Sequence, residues 1–296
     1  LQNRFADAGK QQRRILTALT TKQAHSMITK INAAVAYIQS RYNSKPRAGI
    51  ILGSGLGSFI AEIKIEAEIA YSDIPHFPVS TVEGHDGKLI FGELGGKKVV
   101  AMMGRFHCYE GYTPQEVVFP IRVMKFLGIS TLLISNAAGG LNLDFKVGDL
   151  MIIKDHVSLF VINPLIGKNE EAMGPRFPDM SEPYSKRLIN QVKAIAAKEN
   201  MDVKEGVYCG VTGPTFETRA EYKLLHVIGG DAVGMSTVQE VIAAVHMGLD
   251  VFGMSVITDL GIREEENTIT HAEVLQAAKE AEPKLTHIFK ELVAGL

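Results

Sequence analysis

The sequence contains two cysteines, Cys108 and Cys209, in 296 residues. They are too few and too far apart for a disulfide framework or a cysteine-rich zinc site, so a reduced, cytoplasmic setting is expected. An excess of either charge is also missing. Lys plus Arg number 31 against 33 Asp plus Glu, a formal net charge of -2, with no lysine- or arginine-rich block. That balance gives a nucleic acid nothing to bind. No apolar run approaches the roughly 20 residues that span a bilayer, so no membrane role is expected. Linkers rich in Ser, Pro or Gly and internal repeats are absent as well. The length allows one or two domains, and one is the reading adopted.

Hydrophobic residues make up 46% of the chain, enough for a large core in a globular domain. The opening "RFADAGKQQRRILTALTTKQAHSM" is basic with one acid, Asp7. Residues 1–27 therefore read as an N-terminal extension, either a weak organelle-targeting segment or a cloning remnant before a start at Met27. Residues 28–296 read as the folded domain. Strand-like runs recur at 48–52, 89–94, 97–103, 131–135, 149–156, 205–211 and 250–258. Helical patterns lie at 28–41, 114–128, 216–230 and 237–248, several stopping at glycine. The C-terminal pattern from Thr270 reads as a helix kinked or interrupted near Pro283. Strands alternating with helices, some strands apolar throughout, predict an α/β fold with a parallel or mixed central sheet.

One motif needs a decision. "IILGSGLGSF" at 50–59 is a buried strand running into a glycine-rich turn, where backbone amides can surround an anion. A dinucleotide fingerprint needs G-x-G-x-x-G, and Ser58 stands where the third glycine is required. Ser54 and Ser58 add hydroxyl donors suited to a single tetrahedral oxyanion; a plain tight turn that binds nothing is the alternative. Other loops tip the balance. "STVEGHDG" sets His85 between glycines, and "GRFHCYEGY" places Arg105, His107, Tyr109 and Tyr112 directly after a strand. Arginine offers a fork of donors matched to phosphate. "SNAAGGLN" reads as a second glycine-rich turn after a strand. Ligands of open α/β sheets bind at the carboxyl ends of strands, so these four segments converge on a phosphate site.

Read in order, G-S-G-L-G, G-H-x-G, R-F-H-x-Y-E-G-Y, N-A-A-G-G-L-N, G-P-T-F-E-T and G-M-S-T-V-x-E-V resemble the trimeric purine nucleoside phosphorylases, from about Ile28 to the C-terminus. The resemblance implies phosphorolysis of a purine nucleoside to free base and ribose 1-phosphate. It also implies a homotrimer, a mixed sheet forming a distorted barrel flanked by helices, and no metal or organic cofactor. By the same resemblance Ser54, Arg105, His107, the backbone at Ala137 and Ser236 hold phosphate, with His85 at the edge. Tyr109 and Met235 line the ribose, and His271 reaches the 5′-hydroxyl. Phe216 and Glu217 hold the base, with Asp259 at its N7/O6 edge, so Asp259, Glu217 and His107 form the catalytic set. Phe160 closes a neighbouring subunit's site. A plainer role stands beside several of these. Glu217 could serve the dipole of the next helix, Met235 the core and Ser236 a helix cap. Phe160 could be an exposed loop residue and His271 an ordinary first-turn residue.

The sequence departs from the pattern at Asp259, where enzymes favouring 6-oxopurines carry Asn. An ionised aspartate cannot donate to N7 or O6; a protonated one can donate to N7 while accepting from the 6-amino group of adenine. Glu217 therefore points to inosine and guanosine, and Asp259 to some tolerance of adenosine. The acidic run "REEEN" at 263–267 reads as a solvated loop or a flap over the nucleoside. The rival readings are a methylthioadenosine phosphorylase, an NAD-binding oxidoreductase built on the first glycine turn, and a non-catalytic nucleoside sensor.

Overall fold

The computed structural model describes residues 26–79, 87–262 and 270–296. Ser26 caps helix α1 (Met27–Gln39), its hydroxyl accepting from the Thr29 amide at 3.2 Å. The strands are β1 (Ala48–Ile51), β2 (Lys64–Ala70), β3 (Lys88–Leu94), β4 (Lys97–Met103), β5 (Thr131–Gly140), β6 (Leu150–Val157), β7 (Val203–Gly210), β8 (Ala232–Gly234) and β9 (Asp250–Leu260). Between them run α2 (Pro114–Val117), α3 (Phe119–Leu127), α4 (Lys186–Lys198), α5 (Arg219–Val227) and α6 (Val238–His246), and α7 (His271–Ala294) follows β9.

The strands form one mixed sheet in the order β2-β3-β4-β1-β5-β8-β7-β6-β9, and β9 also pairs with β5. That last pairing closes β5, β8, β7, β6 and β9 into a ring, the distorted barrel expected, while β1 to β4 extend from it as an open arm. The pattern of apolar residues accounts for this. Every residue of β1 is buried, as are the first four of β6, because these strands pack on both faces. β2 instead keeps one buried residue in the sequence KIEAEIA and lies at the sheet's edge. Its alternating charge explains why sequence reading passes over it. β8, three residues long, and α4 are missed likewise.

Three expectations are corrected. "NAAGG" is strand, not turn: β5 runs on to Gly140, pairing with β8 and, through a register shift after Ala138, with β9. Its glycines permit that contact, since a Cβ on Gly140 would meet Leu260 Cδ2 at 2.8 Å. The 114–128 pattern divides at Val118 into α2 and α3. The C-terminal helix is continuous through Pro283 over its 24 residues, with Glu282 beside it accepting from the Phe59 amide at 3.0 Å. That side chain ties α7 to the turn after β1.

Candidate active site

The carboxyl ends of β1, β4, β5, β7, β8 and β9 meet around one cavity of about 420 Å³. Its wall includes Ser54, Arg105, His107, Tyr109, Ala137, Phe216, Glu217, Met235, Ser236, Asp259 and His271. These are the sequence-derived candidates, drawn from segments more than 200 residues apart in the chain. Three candidates are not among them. His85 lies outside the described residues, as does the 263–267 run. Ser58 is exposed in a 3-10 turn (Gly57–Glu62) and faces a different groove with Glu62 and Lys290. Phe160 lines a neighbouring cavity of about 210 Å³ that shares Phe216 and Glu217 with the first.

The glycine turn after β1 is shaped by close approach. A Cβ on Gly53 would lie 2.7 Å from Asn136 Cα, and Gly55 holds a φ of +76°. The turn leads into 3-10 structure and then β2, not into the long helix that a dinucleotide fold puts behind its pyrophosphate. Ser54 stands at its tip, on the cavity.

Arg105 follows β4 and is 1% exposed. Its forked edge is engaged inside the protein: Nε and Nη2 donate to the two Glu240 carboxylate oxygens at 3.2 and 2.6 Å, and Nη1 donates to the Ser135 carbonyl at 2.8 Å. Sequence reading assigns that fork to phosphate; the structure gives it to Glu240, and the guanidinium lines the cavity as a fixed, buried cation. Glu240 also accepts from the Thr237 amide at 3.1 Å. Thr237 has a φ of +71°, a conformation rare for a β-branched residue. It is held there by Glu240 and by Asn136 Nδ2, which donates to its hydroxyl at 2.8 Å. The strained turn sets Ser236 on the cavity wall, its amide reaching the Tyr208 hydroxyl at 3.4 Å.

His107 is fixed in the same manner. Its backbone amide and Nδ1 both meet Glu110 Oε1, at 2.8 and 3.0 Å. A carboxylate only accepts, so Nδ1 carries the hydrogen. Tyr109 stacks on the imidazole with centroids 4.6 Å apart. Burial, with help from the Glu110 charge, pushes its phenol up to about 12, keeping it a neutral hydroxyl.

Glu217, Met235, Ser236 and His271, each with a plainer reading, all line the cavity. The acid that caps α5 is Glu221, which accepts from the Thr218 amide at 2.7 Å. Thr237, not Ser236, is the cap residue of α6. Met235 is half-buried and faces the cavity instead of the core. His271 is a first-turn residue of α7 and lines the cavity too. Burial raises the Glu217 carboxyl, the nearby Tyr222 hydroxyl opposes that rise, and the Asp259 charge adds to it. Asp259 is 9% exposed at the end of β9, and its Oδ1 accepts from the Thr258 hydroxyl at 3.0 Å.

Glu240, Glu110, Asn136 and Thr258 are the supporting residues that sequence reading did not name. The E-G-Y and T-V-x-E motifs contain the two glutamates, but their partners emerge only from the fold. Among the described residues, no three His, Cys, Asp or Glu gather as a metal site, and no helix is long and apolar enough to cross a membrane.

The phosphorylase superfamily matches residues 47–294. Purine nucleoside phosphorylase 1 of Geobacillus stearothermophilus is 49% identical over 268 residues, covering 90% of this chain and 98% of that protein. The purine nucleoside phosphorylase of Bos taurus is 46% identical over 267 residues, covering 88% and 92%. Isoform 2 of the Schistosoma mansoni enzyme, solved with cytosine and ribose-1-phosphate, superposes with a TM-score of 0.86 at 45% identity, covering 90% of this chain and 96% of that one. A Schistosoma mansoni purine nucleoside phosphorylase solved with adenosine gives 0.86 at 41% identity, covering 91% and 98%. The chain belongs to the phosphorylase superfamily and, within it, to the purine nucleoside phosphorylases, enzymes that split purine nucleosides with inorganic phosphate.

Proposed function

We propose that the cavity divides into a phosphate end, a ribose centre and a base end, and that 6-oxopurine nucleosides are the main substrates. Ser54, Arg105, His107, Ser236 and the backbone at Ala137 hold phosphate, with His85 completing the edge. Tyr109 and Met235 border the ribose, and His271 meets the 5′-hydroxyl. Phe216 packs on the purine, while Glu217 accepts from N1–H and Asp259 donates toward N7. The observation carrying this reading is the single cavity that all of these residues except His85 line, with a buried cation and two carboxylates in its wall.

Each part does definable work. A phosphate oxygen attacks C1′ as the C1′–N9 bond breaks, and the electron pair of that bond leaves with the purine. The ribosyl centre becomes cationic in the transition state, so an adjacent phosphate dianion stabilises it while being positioned to react. Negative charge collects on the departing base, where a hydrogen bond or proton at N7 neutralises it. Preorganised donors in such a place are worth about 100- to 1,000-fold in rate. Opposite Glu217, adenine presents a lone pair where hypoxanthine presents N1–H, which favours the 6-oxopurine.

A homotrimer, a cytoplasmic setting and a role in purine salvage accompany this reading. Leu159, Phe160 and Ile162 are 81%, 40% and 60% exposed on the loop after β6, an apolar surface suited to a second copy, with Phe160 reaching that copy's site. Initial rates of base release from inosine, guanosine, adenosine and methylthioadenosine, each with and without phosphate, test the substrate reading. Phosphate-dependent release from inosine and guanosine, with the other two slower, is expected. Methylthioadenosine outpacing inosine would overturn it.

A further inference from the structure

Two arginines are buried among the described residues, and the fold treats them differently. Arg105 gives its fork to Glu240 and Ser135. Arg122 of α3 is 6% exposed, and among the described residues no carboxylate makes an ion pair with it. Its Nη1 meets the Met173 thioether, and its Nε finds no acceptor among the described residues. Burial lowers the group from the ordinary arginine range, with no neighbouring acid to offset it. An arginine does not shed its proton inside a protein, so this guanidinium stays charged. A buried charge without a partner is among the most costly arrangements a fold can hold.

Arg122 lines a small cavity of about 80 Å³ that shares no residue with the active-site cavity. Its walls are pinned in place. Gln115 Nε2 donates to the Ile166 carbonyl and Asn169 Nδ2 to the Gly174 carbonyl, both at 3.1 Å. A Cβ on Gly174 would collide with the His246 carbonyl, so the loop lies tight against the end of α6. The loop is thereby held around the space beside Arg122.

The charges in the wall sum to one positive. Arg122 and Lys168 are cations and Glu170 is the carboxylate. Burial, with the Arg122 charge, holds His246 toward its neutral form, against an opposing pull from the Pro175 and Gly174 backbone. Met27, Pro164, Leu165 and Met173 supply apolar wall. We infer that this cavity binds one small monovalent inorganic anion, of the size and charge of chloride, as the counter-charge to Arg122. A phosphate dianion would exceed the charge it meets and would surrender a larger hydration shell to an apolar wall. Water would satisfy Nε without neutralising the guanidinium, and a Glu170 carboxylate turned inward would neutralise it without any ion. Either of those occupants leaves stability indifferent to chloride.

The test is thermal unfolding of the full chain as chloride replaces gluconate at constant ionic strength. Saturating phosphate is present throughout, so that the catalytic anion site is already filled. The midpoint is expected to rise by about 2–5 °C between chloride-free buffer and about 200 mM chloride, as binding to the folded chain alone requires. Arg122→Met, neutral and of similar length, should abolish the rise, and Arg122→Lys should retain part of it. Crystals of the unaltered protein soaked in bromide should carry an anomalous peak against the Arg122 guanidinium. A midpoint indifferent to chloride, a rise that survives in Arg122→Met, or no bromide beside Arg122 would overturn the proposal. A bromide peak without a chloride-dependent midpoint would mark an adventitious ion only and would overturn it too. If Arg122→Met fails to fold, the midpoint and the bromide map of the unaltered protein decide.

Discussion

Arg105 and Asp259 line one cavity, yet they are held in opposite ways. Around Arg105 the strong hydrogen bonds are already made within the chain: the guanidinium to Glu240 and Ser135, Glu240 to Thr237, Asn136 to Thr237, and His107 to Glu110. At Asp259, Oδ1 accepts from the Thr258 hydroxyl at 3.0 Å. Glu217 and Phe216 project from the loop before α5, and Phe216 is 42% exposed. Phosphate is small and strongly hydrated, so donors that replace its water must be fixed in advance. A purine offers a broad apolar face and a few edge groups, and two carboxyls, one on a loop and one on β9, can meet more than one such edge. The comparison teaches that rigidity is placed where the ligand never varies.

Breaking the wired end should cost most. Arg105→Met leaves the Glu240 carboxylate, 2% exposed, without its cation. Denaturant unfolding should register a loss of about 3–5 kcal/mol, the cost of stranding a buried charge. Phosphate-dependent cleavage should fall by about 1,000-fold or more, since a cation facing the anion is gone. Adding Glu240→Met should return much of the stability and none of the activity, which separates packing from chemistry.

Asp259→Ala should next lower kcat for inosine by about 100- to 1,000-fold, through loss of the N7 donor, with little change in unfolding. Asp259→Asn should spare inosine and lower adenosine turnover relative to it by roughly tenfold, because the amide offers hydrogens to both N7 and O6; an unchanged ratio in steady-state assays would contradict this. Gly139→Ala brings a methyl within 2.9 Å of Asp259 Oδ2. A displaced carboxyl should cost up to about 100-fold in kcat for inosine while the KM for phosphate holds, as saturation curves would show. The mildest change is Glu110→Gln, which keeps a hydrogen-bond acceptor beside His107 Nδ1 and removes its charge. The KM for phosphate should rise by about tenfold or less, with stability nearly unaltered.

Much of this arrangement is legible in the sequence, for a physical reason. β1, β4, β5 and β9 are apolar runs whose burial leaves a strong signal, and several motifs fall at or just past their ends. Arg105 and His107 are therefore found by position as well as by type, whereas Ser236, which follows the missed β8, comes from the resemblance alone. The partners that fix them are not legible in that way: Glu240 lies 135 residues from Arg105, and no local period links the two. The left-handed backbone at Thr237 is equally hidden, since the residue type argues against it. "NAAGG" misleads because glycine normally signals a turn, whereas here it admits β9 to a closed ring. Pro283 misleads in the same way, sitting inside a continuous helix that is anchored by burial along its length.

The most direct test of the account is to cleave inosine with phosphate in water labelled with heavy oxygen and to follow the sugar product by mass spectrometry. Attack by a phosphate held at the Arg105 end predicts ribose 1-phosphate free of the label and no base release when phosphate is withheld. Labelled free ribose, or base release that persists without phosphate, would show that water is the nucleophile and would contradict it.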